Sequence, residues 1–283
     1  MIDMRKLIGV IGAGVMGTGV AERFAVYGYK VIVIDISDEV LEQSRNSIRR
    51  NLMIHKMLGK ENLYIDDIME RIVFSKDYGL LQDVSYVIEN VNEIVDTKKK
   101  VYSTLCKNTK KDCIYLVNTS CISITKIGSY TEKPENVIGV HFMNPVPLQK
   151  FAEVICGFYT TNIIIKEVEE LLQSVDIQST VINDSVGFVS NRMSHIFFNE
   201  AANLVLEGVA TPEQIDLIFT EGFHHKMGPL HTIDLIGLDT VVNSLKILYD
   251  SYQDPKYRCS PLLQKMVDAG NLGVKSGKGF FEY

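Results

Sequence analysis

Cysteine is scarce and poorly spaced for any cysteine-based scaffold. Cys106, Cys113, Cys121, Cys156 and Cys259 are an odd number and include no Cys-x-x-Cys pair. A disulfide framework, a zinc site and a dithiol motif are therefore unsupported, and a reduced, cytoplasmic compartment is the default. No metal site is expected. No stretch approaches the roughly 20 apolar residues that a membrane span requires. The apolar run Leu7–Met16 is interrupted by Gly9, Gly12 and Gly14, which suits a phosphate-binding turn better than the apolar core of a secretory signal. Positive charge is not in excess either. Lys and Arg number 29 against 35 Asp and Glu, a net charge of −6, so bulk charge offers no attraction to nucleic acid or an anionic membrane. Internal repeats and low-complexity segments are missing.

What remains is an ordinary globular composition, 46% hydrophobic and 23% charged over 283 residues, enough for about two domains. The first part alternates short β-rich runs with helical patterns. Strands are expected at Lys6–Ile11, Lys30–Ile34, Arg71–Phe74, Ser85–Ile88, Cys113–Val117, Val137–Phe142, Phe151–Ile155 and Ser179–Val181. Helices are expected at Gly17–Tyr27, from an Asp38 cap through Leu58, and at Val95–Leu105. Such alternation predicts a parallel sheet with crossover helices. After a polar, turn-like segment at Ile182–Gly187 the pattern turns helical: Phe188–Gly208, Thr211–Gly222, His231–Tyr252 and Pro261–Ala269. Thr211-Pro212-Glu213 opens a helix with a capping threonine and a proline in the first turn. The expected architecture is α/β: a doubly wound Rossmann-type domain over 1–183 and an all-helical domain over 184–283.

The strongest local signal is Gly12-Ala13-Gly14-Val15-Met16-Gly17, between a strand and a helix, with a second strand leading to Asp35. This is the dinucleotide fingerprint in its full context. Gly12 makes the turn, Gly14 lets the backbone approach a pyrophosphate, Gly17 lets the helix pack closely, and Val15 and Met16 begin the helix whose N–H groups face the phosphates. Asp35 accepts from a ribose and repels a 2′-phosphate. No arginine follows it, which favours NAD over NADP. Two further segments fall at carboxyl ends of strands, where ligands of such sheets bind: Asn118-Thr119-Ser120, and His141 in GVHFMNP. A histidine there can take a proton from a hydroxyl, and Glu153, twelve residues on, can hold its ring. Spacing alone equally allows a structural histidine and a surface carboxylate.

Taken together, GAGVMGTG at Gly12–Gly19, Asn118-Thr119-Ser120, HFMNPVP at His141–Pro147, GFVSNR at Gly187–Arg192, MGPL at Met227–Leu230, IGLDT at Ile236–Thr240 and KSGKGFFEY at Lys275–Tyr283 resemble the short-chain L-3-hydroxyacyl-CoA dehydrogenases, including the bacterial 3-hydroxybutyryl-CoA enzymes. The resemblance spans nearly the whole chain. It implies an NAD-dependent oxidoreductase that interconverts a 3-hydroxyacyl thioester and its 3-oxo form, working as a homodimer. It places the catalytic histidine on His141, its partner glutamate on Glu153, the substrate-oxygen serine, which also borders the cofactor, on Ser120, and an active-site asparagine on Asn191. It places cofactor-side residues on Glu93, Lys98 and Lys275.

Some positions depart from that pattern. Cys121 stands where the family commonly has a second serine. In the helix after Asp35, Asn51 stands near the family's CoA-binding serine and Leu58 near its CoA-binding lysine, with Arg49, Arg50, Lys56 and Lys60 close by. These cations suit CoA phosphates, an acidic acyl carrier protein, or simply a solvated face. Asn51 and Lys56 are the expected substrate contacts. A carrier-protein thioester, such as a glyceryl group, is the alternative substrate, and an NAD-binding protein without catalysis is a third reading.

Overall fold

The computed structural model describes residues 7–59 and 64–283, so the predicted strand residue Lys6 and the candidate cation Lys60 lie outside the described residues. The chain divides into two compact units, the first ending at Ser185 and the second Val186–Tyr283.

The first unit is built on an eight-stranded sheet. Its strands are β1 (Leu7–Ile11), β2 (Lys30–Ile34), β3 (Ile72–Ser75), β4 (Tyr86–Glu89), β5 (Ile114–Val117), β6 (Val137–Phe142), β7 (Phe151–Cys156) and β8 (Gln178–Asn183), in the order β3-β2-β1-β4-β5-β6-β7-β8. Its helices are α1 (Val15–Val26), α2 (Asp38–Met57), α3 (Ile65–Glu70), α4 (Val95–Asn108), α5 (Ile124–Gly128) and α6 (Asn162–Ser174). The strands β1, β2, β4 and β5 are almost wholly buried, as short Val/Ile runs must be when helices cover both faces of a parallel sheet. The chain crosses from β3 on one side of β1 to β4 on the other, so the carboxyl ends of β1 and β4 open a crevice at the switch point.

Three sequence expectations are corrected here. The sheet is not wholly parallel: β6 and β7 pair antiparallel, because a short loop and not a crossover helix joins them. β8 runs on through Ile182 and Asn183, because β7 offers it a parallel edge as far as Cys156, so the polar ending is strand and not turn. The cap of α2 is Ser37, whose hydroxyl accepts from Val40 N, and Asp38 is the first helical residue.

The second unit is helical: α7 (Ser190–Leu206), α8 (Pro212–Leu217), α9 (Pro229–Ile236), α10 (Leu238–Tyr252) and α11 (Pro261–Asp268). Thr211 caps α8 in a full capping box with Gln214. A single π-helical turn, Ile218–Gly222, continues α8. The expected helix His231–Tyr252 is two helices. Gly237, at φ 100°, breaks it in a conformation that side-chain-bearing residues rarely adopt. Phe198, Ala202, Ile215, Leu230, Leu245 and Leu263 are core residues of this unit. Asp234, fully buried, accepts from Phe280 N, Phe281 N and the Tyr283 hydroxyl, which is how the terminal KSGKGFFEY segment is held. Among the described residues no helix is long and apolar enough to cross a membrane.

Candidate active site

The phosphate-binding turn has the geometry its glycines require. Gly12 sits at φ 90°, and a Cβ on Gly17 would come within 1.8 Å of Gly12 O. Nothing lies within 4 Å of where a Gly14 Cβ would be, so the space above the turn is open. No side chain caps the N-terminus of α1, which leaves its N–H groups for an anion. Asp35 Oδ2 accepts from Ala13 N at 2.8 Å and Oδ1 from Ser37 N at 3.1 Å. The carboxylate thus braces the turn from the end of β2, and with about four lone-pair sites it retains capacity for a ribose hydroxyl. These residues fit a dinucleotide.

Glu93 organises the segment after β5. Its Oε1 accepts from Ser120 N and Cys121 N, both at 2.9 Å, and from the Thr119 hydroxyl. Three donors from consecutive residues converge on one carboxylate oxygen, so the Ser120 turn is held from the β4–α4 loop. Behind it lies an ion pair that sequence reasoning missed. Lys98 Nζ donates to both oxygens of Glu89, at 2.8 and 2.9 Å, with both side chains wholly inaccessible, and stands 3.8 Å from Glu93 Oε2. Burial pushes the Glu89 carboxyl up and the Lys98 ammonium pulls it back. Lys98 therefore has no surface with which to touch a cofactor. The structure places it behind the loop, as the partner of Glu89 and within 3.8 Å of Glu93. The available signal was a carboxylate at a strand end and a lysine early in the next helix.

His141 and Glu153 are direct cross-strand partners in the β6–β7 ladder, which puts their side chains on one face. His141 Nδ1 lies 2.9 Å from Glu153 Oε2, and Glu153 is 3% exposed. A carboxylate can only accept, so the contact assigns the proton of the neutral ring to Nδ1 and leaves Nε2 as the acceptor. Nε2 lies 3.4 Å from Ser120 Oγ. A serine, a histidine and a buried carboxylate thus stand in line where β5 and β6 end. Asp184, read in the sequence as part of a turn, accepts from the Ser123 hydroxyl, Ile124 N and Thr125 N, so it ties the end of β8 to the start of α5.

The helix α2 sorts its candidates. Asn51 lines a groove of about 600 Å³ together with Gly14, Ser47, Arg50, His55 and Pro147. Arg49 is turned to Asp66 at 2.7 Å. Lys56 is exposed and does not line the groove, so the expected substrate contact at Lys56 is not part of this cavity. Two predicted site residues belong to the second unit. Asn191 lies in the first turn of α7, where its carbonyl accepts from His195 Nδ1 at 2.9 Å. Lys275 pairs with Asp239 at 2.5 Å.

The model of the 3-hydroxyacyl-CoA dehydrogenase NAD binding domain matches residues 7–185, and that of the 3-hydroxyacyl-CoA dehydrogenase C-terminal domain matches residues 187–283. The chain belongs to this family. It is an NAD-dependent oxidoreductase. It is 41% identical to a probable 3-hydroxybutyryl-CoA dehydrogenase of Deinococcus radiodurans, over 97% of this chain and 99% of that one. It is 38% identical to the 3-hydroxybutyryl-CoA dehydrogenase of Bradyrhizobium diazoefficiens, over 100% and 97%. The crystal structure of (S)-3-hydroxybutyryl-CoA dehydrogenase from Ralstonia eutropha superposes with a TM-score of 0.92 at 36% identity, covering 98% of this chain and 99% of that one.

Proposed function

We propose that this chain interconverts (S)-3-hydroxybutyryl-CoA and acetoacetyl-CoA with NAD, in the cytoplasm, with the reaction centre at Ser120, His141 and Glu153. The observation that carries the reading is the line from Ser120 Oγ through His141 to Glu153. Similarity to the 3-hydroxybutyryl-CoA enzymes supports the four-carbon acyl group. The (S) hand comes from the relatives alone.

Gly12, Gly14, Gly17 and Asp35 would hold the adenosine and pyrophosphate of NAD, with Glu93 at the loop beyond β4. When bound, NAD takes up the hydride that leaves C3 of the substrate. His141 Nε2 accepts the proton of the 3-hydroxyl as C3 becomes a carbonyl. Glu153 stabilises the imidazolium so formed and keeps the ring from turning. Ser120 donates to the substrate oxygen, an arrangement that strengthens as charge gathers there. In the reverse direction His141 returns the proton. Holding these groups in reacting geometry accounts for much of the rate.

A second reading keeps the chemistry and changes the carrier. The end of α2 exposes Met57 (86%), and Leu58 (78%) follows it, next to the exposed Lys56, a surface suited to an acidic carrier protein. The deciding assay follows loss of NADH absorbance with acetoacetyl-CoA and with the same acyl group on a phosphopantetheinyl carrier protein. Turnover with the CoA thioester at least ten times that with the carrier thioester is expected, a difference of about 1.4 kcal/mol. Turnover with the carrier thioester alone overturns the proposal.

We also infer a homodimer through the second unit. Phe223, Met193, Leu235 and Leu217 are each at least 60% exposed there, apolar surface whose burial against a second copy would favour association. Light scattering on a size-exclusion column is expected to give twice the 31.9 kDa chain mass. A single chain mass at micromolar concentration overturns the inference.

A further inference from the structure

The groove beside the phosphate-binding turn has a wall that is set from beneath. Glu22 lies in the middle of α1 and is 1% exposed, a carboxylate facing inward from a helix otherwise packed on the sheet with Val20, Phe24 and Ala25. A buried charge of this kind is retained at a cost unless it is paired and hydrogen-bonded. Two groove-lining side chains of α2 lie against it. Asn51 Nδ2 donates to Glu22 Oε2 at 2.9 Å, and His55 Nδ1 lies 3.6 Å from Glu22 Oε1. Asn51 and His55 are four residues apart, one turn, on the same face of α2. Because a carboxylate only accepts, the contact directs the Asn51 amide nitrogen to Glu22 and fixes the sense of its amide. His55 lies at ion-pair distance and not in hydrogen-bond contact, so its link to Glu22 is electrostatic.

None of Ser120, His141 or Glu153 lines this groove, whereas Gly14, Ser47 and Arg50 do. The phosphate-binding turn at one end of the groove is the place of the NAD pyrophosphate, so a second ligand lying in it meets the Arg50 guanidinium with Ser47, Asn51 and His55 around it. That is chemistry for the phosphate-bearing end of a substrate, remote from the reacting carbon. We propose that Glu22 is a positioning residue for the carrier end of the thioester: it holds Asn51 by a hydrogen bond and attracts His55 beside it, so that with Arg50 they receive the phosphate-bearing part of the carrier. The proposal rests on the thioester dehydrogenase reading above. It assigns discrimination between a full CoA thioester and a truncated one to a residue that no substrate atom reaches.

The test compares acetoacetyl-CoA with acetoacetyl-N-acetylcysteamine, a thioester without the phosphates and adenosine. In wild-type protein, turnover of either with NADH tests the dehydrogenase reading. The ratio of kcat/KM for the CoA thioester to that for the truncated one tests the role of Glu22. In Glu22→Gln, which keeps size and removes charge, the ratio is expected to fall about tenfold, the worth of one charge-assisted hydrogen bond. A merely structural role lowers both specificity constants together and leaves the ratio unchanged, and that result overturns the proposal. His55→Ala provides the same comparison if Glu22→Gln does not fold, with an unchanged ratio again fatal. Isothermal titration of coenzyme A itself into wild-type and variant protein gives the comparison without turnover, and equal affinities there overturn the proposal.

Discussion

Replacing His141 by glutamine is expected to lower kcat by about 10²–10⁴-fold, the usual contribution of a positioned general base, while NADH binding changes little. Glutamine matches the ring in reach and polarity but accepts no proton near neutral pH. In the native ring Nε2 lies 3.4 Å from Ser120 Oγ and Nδ1 lies 2.9 Å from Glu153 Oε2. Glu153→Gln separates the two halves of the role. An amide in place of the carboxylate can present its NH₂ to Nδ1, which favours the tautomer whose Nε2 carries the proton and cannot act as base. Steady-state rates with acetoacetyl-CoA and NADH fluorescence titration make the measurement. Turnover of His141→Gln within tenfold of wild type would remove His141 from the chemistry.

The second large effect is on stability. Lys98→Met should destabilise the chain by about 3–5 kcal/mol, because breaking a buried pair strands the remaining charge. Glu89 and Lys98 are both inaccessible, and the Tyr102 hydroxyl, buried beside Glu89, is itself pushed well above the ordinary tyrosine range by desolvation. Without the ammonium, burial acts on Glu89 against only the Val91 N–H, and its carboxyl takes up a proton. The folded variant then binds one more proton than the unfolded chain, whose glutamate is ionised at neutral pH. Stability of Lys98→Met accordingly falls as pH rises from the ordinary glutamate range to neutrality, and the deficit shrinks in acid. The pair variant Lys98→Met with Glu89→Leu should recover most of the loss, since an apolar pair of similar volume removes both desolvation costs. Urea unfolding across pH gives all three numbers. A Lys98→Met deficit below about 1 kcal/mol would mean that water reaches the pair. The same variant loosens Glu93, 3.8 Å from Nζ, and so the turn that carries Ser120.

The legible parts of the first unit were those in which one element carries its own signal. β6 appears over Val137–Phe142 as read from its apolar run. The glycine turn, the strand before it and Asp35 after it are local features of a single βαβ unit, and their geometry follows from which residues tolerate φ 90° or an absent Cβ. Thr211-Pro212 announces α8 because a cap and a fixed φ act within one turn. Helix α6 went unread although it spans Asn162–Ser174. Its apolar stripe, Ile164, Val168, Leu171 and Leu172, is spaced at i, i+4 and i+7 among charges, a pattern that only a deliberate count of periodicity recovers. The break at Gly237 was hidden because a lone glycine within an apolar pattern reads equally as a tolerated helix residue.

By itself, the sequence determined the dinucleotide turn, the alternation that makes an α/β unit followed by a helical one, and the residue types suited to moving a proton. Each depends on neighbours within a turn or a strand, where φ, capping and periodicity act. Tertiary structure decided everything that depends on partners distant along the chain. It alone set β6 and β7 antiparallel, and with that the meeting of His141 and Glu153 across a ladder. It made Lys98, expected beside the cofactor, the buried partner of Glu89, and it brought Glu22 of α1 against Asn51 and His55 of α2. The physical reason is that an ionisable side chain carries no sequence mark of its environment. Whether it is solvated, paired or desolvated is fixed by which strand lies beside its own and which helix packs on top, and those are outcomes of the whole fold.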